Sequence, residues 1–408
     1  MAHRSADVGI VGAGPAGAHL AARLAASGFD VALFDPKGAW EKPCGGGVTT
    51  RALREFAFLL GDPAYPCTLV KRITVVSSLG RSVSVKLQEP FAIYSRQVLN
   101  GLLLDRAVAA GARFERESVQ RFSRTDDGWI IQTGGEQTWR VRFLVGADGV
   151  TSSVRRKLIG IFPTRDIAMA MGYNVVASLR DGDSRQGGKP GSAKPRRDAE
   201  CDTMLVRFPS GFAGYFWMFP RPGVMNFGVA CKMGQLTSQR LRELLEDFMH
   251  GYYGGNTPDG HCRSFFAAKI PILDPASWRD LKVTGDGWAL AGDAAGFVDP
   301  ITGEGIYYAL KSSELLADAL ASEADYNRAT ARYESSWPKE FGAELALASR
   351  LLPRFYNGRF IGHVFDDAMV LFARYHAGVR KVMTRAIIGE QSYAWLKRDL
   401  IKSILRIF

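Results

Sequence analysis

Near its start the chain runs Val8-Gly-Ile-Val11, then Gly12-Ala-Gly14-Pro-Ala-Gly17, then a helix-like stretch from Ala18 to Ser27. A buried strand that passes through GxGxxG into a helix is the opening of a parallel, Rossmann-type βαβ unit. Gly12 permits the tight turn, Gly14 lets a pyrophosphate approach the backbone, and Gly17 lets the helix pack closely on the strand. The helix N-terminus adds unpaired N–H groups and a positive dipole end. A second strand, Asp30-Val-Ala-Leu-Phe34, ends at Asp35, about 20 residues past the glycines. A carboxylate there accepts hydrogen bonds from both hydroxyls of an adenosine ribose, so strand, glycines and acid together predict dinucleotide binding.

Two more glycine–aspartate turns follow strands far along the chain. Phe143-Leu-Val-Gly-Ala-Asp148-Gly149 leads into Val150-Thr-Ser-Ser153-Val-Arg155. Trp288-Ala-Leu-Ala-Gly292-Asp293-Ala-Ala-Gly296 leads through Phe297-Val-Asp-Pro-Ile-Thr-Gly303-Glu-Gly305-Ile306 into a long helical pattern. Each alone is an ordinary strand-ending turn. Together with the opening unit they resemble the flavoprotein hydroxylase pattern of glutathione-reductase-like FAD folds. The resemblance implies FAD rather than NAD, held by Gly12, Gly14, Ala16 and Gly17. It implies that Gly292 and Asp293 meet the ribityl and diphosphate region, that Gly305 and Ile306 lie beside the flavin ring, and that Asp148 lies near the pyrophosphate or the nicotinamide path. No second GxGxxG follows a strand. Transient NAD(P)H therefore visits without a Rossmann domain of its own, or another electron donor replaces it, since a flavin can store a hydride between half-reactions.

Between the second strand and the next helix stands Glu41-Lys-Pro-Cys44-Gly45-Gly46-Gly47-Val48. Three successive glycines imply backbone close to a ligand, or a hinge. An arbitrary cysteine, by contrast, is a small buried hydrophobe. Further on, Tyr215-Phe-Trp217-Met-Phe219-Pro220 places three aromatics on one face of a strand by its period of two. That face can line an apolar cavity while the other packs a core, although a doubly buried strand reads the same way.

Lys42-Pro-Cys44-Gly45-Gly46 and the Tyr-x-Trp-x-Phe-Pro strand, taken together, resemble the geranylgeranyl reductases. These are FAD enzymes that saturate isoprenoid double bonds in lipids, quinones or pigment side chains. The resemblance spans roughly residues 7 to 310. It implies that Cys44, Gly45 and Gly46 lie close to the flavin, with Cys44 catalytic, as proton donor or by holding flavin and alkene in register, and that Tyr215, Trp217 and Phe219 line the prenyl pocket. It also implies that Arg96, ahead of the helix Gln97 to Ala110, and Val119, after Gly111-Ala-Arg-Phe114, approach FAD. An arginine opening a helix opposes the dipole, which a bound phosphate or carboxylate would explain. Two departures stand out. Gly228-Val-Ala230 replaces the Gly-x-Gly usual after the aromatic strand, and Cys44-Gly45-Gly46-Gly47-Val48 differs from the Cys-Gly-Gly-Ala-Ile-Pro of the chlorophyll branch. The first leaves substrate length open; the second demotes a chlorophyll substrate.

The expected fold class is α/β (α+β): a glutathione-reductase-like FAD-binding Rossmann domain, an antiparallel-sheet substrate domain and a helical C-terminal region. Residues 1–164 and 281–325 are assigned to the FAD domain, with a hairpin from Val70 to Leu87 inserted. Residues 165–280 are assigned to the substrate domain with one helix, Ser238 to His250, and residues 326–408 to a basic region that stays helical to its end. The polar Gly/Pro/Lys stretch 181–197 reads as a flexible hairpin loop.

Composition narrows the partners. With 408 residues, 47% hydrophobic and 23% charged, the chain is neither disordered nor collagenous. Its five cysteines form no CxxC pair and have no finger-spaced histidines, so neither a disulfide framework nor a metal site is expected. Without a signal-peptide pattern, and without an apolar run of about 18 residues, the expectation is a cytoplasmic protein with no spanning helix. The net charge is +11, of which residues 351–408 hold +6. Basic and apolar residues, Trp395 and Phe408 among them, recur at helical spacing from Ser392 to the end, as in a helix lying on an anionic lipid surface. A terminal helix packed on the domain with a solvated basic face has the same spacing. No helix-turn-helix, zinc finger or RNP-like element accompanies the charge, so nucleic acid is not expected. The function implied is reduction of C=C bonds in a prenyl chain on a lipid, quinone or diphosphate. The alternative is a flavin monooxygenase acting on an apolar substrate.

Overall fold

The structure is a computed structural model that describes residues 4–135, 137–176, 202–258, 260–360 and 363–405. The loop 181–197 lies outside the described residues. A central strand, Arg4–Val11, is flanked in parallel by Val31–Phe34 and Thr138–Gly146, with Val8 level with Val31 and Phe143. Arg113–Glu115 extends this sheet on one side and Trp288–Leu290 on the other, both in parallel. The strand residues Val8, Ile10, Ala32 and Leu33 are fully buried, as befits a sheet covered on both faces. The helix Pro15–Ala26 begins with proline at its first position, where its missing N–H costs nothing. A Cβ on Gly17 would come 1.8 Å from the Gly12 carbonyl oxygen, so only glycine lets this helix sit so close to the turn. The long helix Ile306–Ser322 packs beside it, with Ser313 Oγ donating to the Ala16 carbonyl at 2.7 Å.

The second sheet runs, edge to edge, Arg263–Pro271, Ile167–Val176, Val224–Lys232, Gly214–Arg221, Thr203–Arg207, Cys67–Val76, Ser82–Tyr94 and Gly47–Val48. Two features differ from the sequence reading. The hairpin 67–94, longer than Val70 to Leu87, leaves the nucleotide sheet and completes this one, so residues 1–164 feed both sheets. It joins through Thr203–Arg207 alongside Cys67–Val76 in parallel, so the sheet is not purely antiparallel. Edge-to-edge pairing satisfies the hairpin's backbone N–H and C=O groups, which a lone two-stranded ribbon would leave half unpaired.

Faces follow side-chain periodicity. Phe216 and Met218 share an apolar core with Leu241, Leu245, Phe248 and Met249 of the helix Ser238–Tyr252. On the hairpin, Val70, Ile73, Val85 and Ile93 share a core with Met369, Val370 and Val379 of the C-terminal helices Phe365–Tyr375 and Ala377–Ile387. The C-terminal region is not helical throughout, because Arg359–Phe360 pairs with His363–Val364 ahead of Phe365. The last described helix is Tyr393–Leu405. Among the described residues, no helix is long and apolar enough to cross a membrane, and no group of three or more His, Cys, Asp or Glu is placed to hold a metal ion.

Candidate functional site

One cavity of about 1280 Å³ runs between the two sheets and the C-terminal helices. Gly12, Gly14, Ala16, Asp35, Cys44, Gly45, Gly46, Arg96, Val119, Asp148, Asp293, Gly305, Ile306, Tyr215, Trp217 and Phe219 all line it. Chain segments more than 200 residues apart therefore meet at one place. Of the residues singled out from the sequence, Gly17 and Gly292 lie behind the wall instead. A Cβ on Gly292 would come 2.9 Å from the Ala16 Cβ, so its small size serves packing.

The nucleotide end is a cradle. Nothing lies within 4 Å of where a Cβ on Gly14 would point, and in an α-helix the first N–H groups after the Gly14 cap have no internal acceptor. Asp35 is held rigidly at the end of its strand, accepting from the backbone N–H of Ala13 at 2.9 Å, Lys37 at 2.8 Å and Gly38 at 3.0 Å. Asp148 Oδ2 accepts from the N–H of Ser153 at 2.7 Å and its hydroxyl at 2.8 Å, while Oδ1 is buried without a partner. Arg96 is 4% exposed and its Nε is likewise buried without a partner. Unsatisfied buried polar atoms are costly, and here an acceptor beside the open glycine turn and a guanidinium beside Cys44 line one cavity, which fits an elongated ligand that offers both hydroxyls and phosphates, such as FAD. Asp293, singled out for the ribityl chain, is paired with Lys42 Nζ at 3.0 Å. That lysine belongs to the cysteine loop and ties it to the second glycine–aspartate turn.

The cysteine loop is bent at Gly46, whose φ is +80° and whose Cβ would sit 2.0 Å from the Tyr94 carbonyl oxygen. Its own carbonyl accepts from the Tyr94 N–H at 2.9 Å. Cys44 Sγ accepts from the Gly46 N–H at 3.3 Å. Arg221, the residue that ends the aromatic strand, is 7% exposed. It donates to the Cys44 carbonyl and, at 2.7 Å, to Glu41 Oε1. Burial pushes the Cys44 thiol up, but the Arg96 guanidinium, the Gly46 N–H and the Arg221 charge outweigh it and hold the thiol below its ordinary value. Glu41 is also held low: burial opposes this, but the Ser95 hydroxyl, the Gln97 N–H and Arg221 stabilise its charge. Two arginines thus surround a thiol inclined to ionise.

Above the loop stand the aromatics. A Cβ on Gly45 would lie 3.0 Å from the Phe219 ring and 3.3 Å from Trp217 Nε1, so glycine is what lets the loop meet this wall. Trp217 Nε1 donates to Asn226 Oδ1 at 2.7 Å, and Asn226 Nδ2 donates to Asn174 Oδ1 at 2.7 Å. Tyr215 donates to the Thr302 carbonyl, and burial pushes its hydroxyl well up. The strand's alternation sets Tyr215, Trp217 and Phe219 toward the cavity and Phe216 and Met218 toward the core. Beyond them the walls are apolar: Phe208, Phe355, Met369, Val382, Leu396 and Leu400.

Several of these residues had no counterpart in the sequence reading. Arg221 had a signal, a charge directly after an apolar strand. Lys42 stood inside the quoted motif with no hint of its partner. For the C-terminal helix the spacing fits both a lipid-surface helix and a helix packed on the domain, and it is packing that turns Leu396 and Leu400 of Tyr393–Leu405 to the cavity.

An FAD-binding-domain family model matches residues 5–182. The geranylgeranyl diphosphate reductase of Rhodobacter capsulatus is 28% identical over 402 residues, covering 93% of each chain. The digeranylgeranylglycerophospholipid reductase 1 of Methanopyrus kandleri is 27% identical over 354 residues, covering 82% of this chain and 86% of that one. The crystal structure of a geranylgeranyl bacteriochlorophyll reductase-like protein from Thermoplasma acidophilum superposes with a TM-score of 0.74 at 20% identity. It covers 99% of this chain and 96% of that one, a likeness of fold. The chain is accordingly an FAD-binding flavoprotein, related along most of its length to the geranylgeranyl reductases.

Proposed function

We propose that this protein reduces C=C bonds of a prenyl chain, carried on a lipid, quinone or diphosphate, with FAD as its resident cofactor. The observation that carries the reading is the single cavity in which the nucleotide cradle opens past Cys44 into an aromatic and aliphatic pocket. An isolated alkene is apolar and flexible, so recognition rests on apolar walls, and the reaction on holding one double bond in register. When bound and reduced, FAD supplies a hydride, reaching it from NAD(P)H or another donor. Gly12, Gly14, Ala16, Asp35, Arg96, Val119, Asp148 and Asp293 hold the cofactor, with Gly305 and Ile306 beside its ring and Gly17 and Gly292 shaping the wall behind. Tyr215, Trp217 and Phe219 hold the chain and exclude water. Cys44, between its two arginines, holds flavin and alkene in register.

The test is anaerobic turnover of geranylgeranyl diphosphate by holoenzyme reduced with dithionite, with mass spectrometry of the product. Addition of two hydrogens per bond is expected. In a parallel aerobic assay with NAD(P)H, oxygen consumption with a hydroxylated product and no anaerobic saturation would replace this reading by the monooxygenase alternative. Cys44→Ala and Cys44→Ser are expected to retain FAD and lose most of the rate; wild-type rates in both would remove Cys44 from the chemistry.

The same reading puts the protein at an anionic membrane surface. Trp395 is 52% and Tyr375 72% exposed, and on Tyr393–Leu405 exposed Lys397, Arg398 and Lys402 accompany Trp395 while Leu396 and Leu400 line the cavity. Each basic residue near an anionic surface contributes about 1 kcal/mol. The full chain is expected to float with phosphatidylglycerol vesicles at low salt. Lys397→Glu with Lys402→Glu is expected to abolish this; flotation that survives the double reversal would refute it.

A further inference from the structure

Each saturated bond requires one proton, and Cys44, whose Sγ accepts from the Gly46 N–H between Arg96 and Arg221, is not the only group at the cavity wall that could supply it. Most carboxyls lining the cavity are committed elsewhere. Asp35 accepts three backbone N–H groups and Asp293 pairs with Lys42. Both oxygens of Asp299 are taken, Oδ1 by the N–H groups of Ile301 and Thr302 and Oδ2 by the Tyr393 hydroxyl. Glu304 differs. Its Oε1 accepts from the Thr49 hydroxyl at 2.8 Å, and no hydrogen bond to Oε2 is formed within the described residues. Thr49 Oγ1 itself accepts from the Ala52 N–H at 3.3 Å, so its single proton points at Glu304. A neutral Glu304 must then carry its proton on Oε2, on the side of Gly389, a residue that also lines the cavity.

Position strengthens the case. Glu304 directly precedes Gly305 and Ile306 in the turn that opens the long helix, and Tyr215 of the aromatic wall donates to Thr302 in the same turn. The charged and titratable groups that face it are Arg51 from beside the cysteine loop, Asp299 from its own turn, Tyr308 from the long helix and Tyr215 from the sheet. Burial pushes its carboxyl up to about 7; Thr49 and Arg51 oppose this and Asp299 adds to it. At neutral pH a substantial fraction is protonated, as a general acid requires.

We propose that Glu304 is the acid that completes saturation of the double bond. One alkene carbon receives a hydride, with its electron pair, from reduced FAD. The π pair then forms the second C–H bond with the Glu304 proton, leaving a CH–CH unit, oxidised FAD and a carboxylate that water reprotonates. This rests on the prenyl-reduction reading above and assigns its proton.

The test compares wild type, Glu304→Gln and Glu304→Asp as FAD-loaded full chains. Gln preserves the acceptor for Thr49, and equal FAD content shows that the fold is kept. By infrared spectroscopy without substrate, wild type is expected to lose one protonated-carboxyl C=O band with a midpoint of about 7. Glu304→Gln is expected to lack that transition. In anaerobic single turnover of geranylgeranyl diphosphate, the wild-type rate should fall as pH rises through about 7. The Gln variant should be slower by about 10²–10⁴-fold with no such fall, and Asp should recover part of the rate. A Gln variant matching the wild-type rate and profile, or no band lost on substitution, overturns the assignment. A wild type that saturates no prenyl bond, though its carboxyl titrates as expected, overturns the function reading and this one with it.

Discussion

Alanine at Gly228 tests the aromatic wall directly. Gly228 lies level with Trp217 on the neighbouring strand, and a Cβ there would sit 2.0 Å from the indole Cζ2 and 2.4 Å from Cε2. Carbon atoms rest about 3.5–4.0 Å apart, so the ring must move by roughly 1.5 Å. Trp217 is 4% exposed and its Nε1 is bonded to Asn226, which is fully buried, so the movement has no free direction. Overpacking of this kind costs about 1–3 kcal/mol. Breaking the indole bond leaves a buried amide oxygen unsatisfied for about 1–3 kcal/mol more. The sum, about 2–6 kcal/mol, is a large part of a typical net stability and lowers the urea midpoint by roughly 1 M or more at a slope near 3 kcal/mol per M. Because the indole also meets Gly45, a displaced ring shifts the cysteine loop, and an error of about 1 Å in register can cost about 10²-fold in rate. Urea titration followed by flavin fluorescence, with anaerobic turnover, measures both effects. Unchanged midpoint and rate would show that Trp217 is not clamped between Gly228 and the loop. Ala230→Gly, level with Tyr215, is the control: it relieves crowding and should alter chain-length preference rather than stability.

Arg221→Met should release Cys44 toward its ordinary pKa, slowing alkylation by iodoacetamide at neutral pH, as mass spectrometry can follow. It should also cost about 2 kcal/mol, less than a fully buried pair because Glu41 is 35% exposed; alkylation as fast as in wild type would contradict the electrostatic assignment. His19, wedged between Phe56 and Phe58, is held down to about 3 by burial, with Arg23 and Arg106 adding to it. Its contribution is complete above the unfolded value of about 6.5 and is lost as pH falls, by about 2 kcal/mol at pH ~5. His19→Phe should therefore flatten stability between pH ~7 and ~5, and parallel losses in variant and wild type would refute this.

The nucleotide cradle was legible because it is local. Gly12, Gly14 and Asp35 act through a strand, a turn and a helix contiguous in the chain, and their φ angles and spacing follow from adjacent residues. The face assignment of Tyr215, Trp217 and Phe219 was legible for the same reason, since the pleat alone sets which side chains share a side. The strand limits of the hairpin were less so: residues 82–87 alternate between exposed and buried, whereas Phe91 to Tyr94 are all buried, which blurs the period.

Chain order carries no sign that Arg221 neutralises Glu41 and faces Cys44, that Lys42 meets Asp293, or that Thr49 aims its proton at Glu304. Each pair joins segments more than 170 residues apart. Nor does the C-terminal sequence announce that Leu396 and Leu400 line the cavity, because an amphipathic helix displays the same spacing whether its apolar side faces lipid or protein. Local stereochemistry therefore specified a dinucleotide-binding turn and an aromatic strand. The thiol's charge, the carboxyl's proton and the apolar pocket depend on burial and on charges brought close by folding, and these exist only once distant segments pack together.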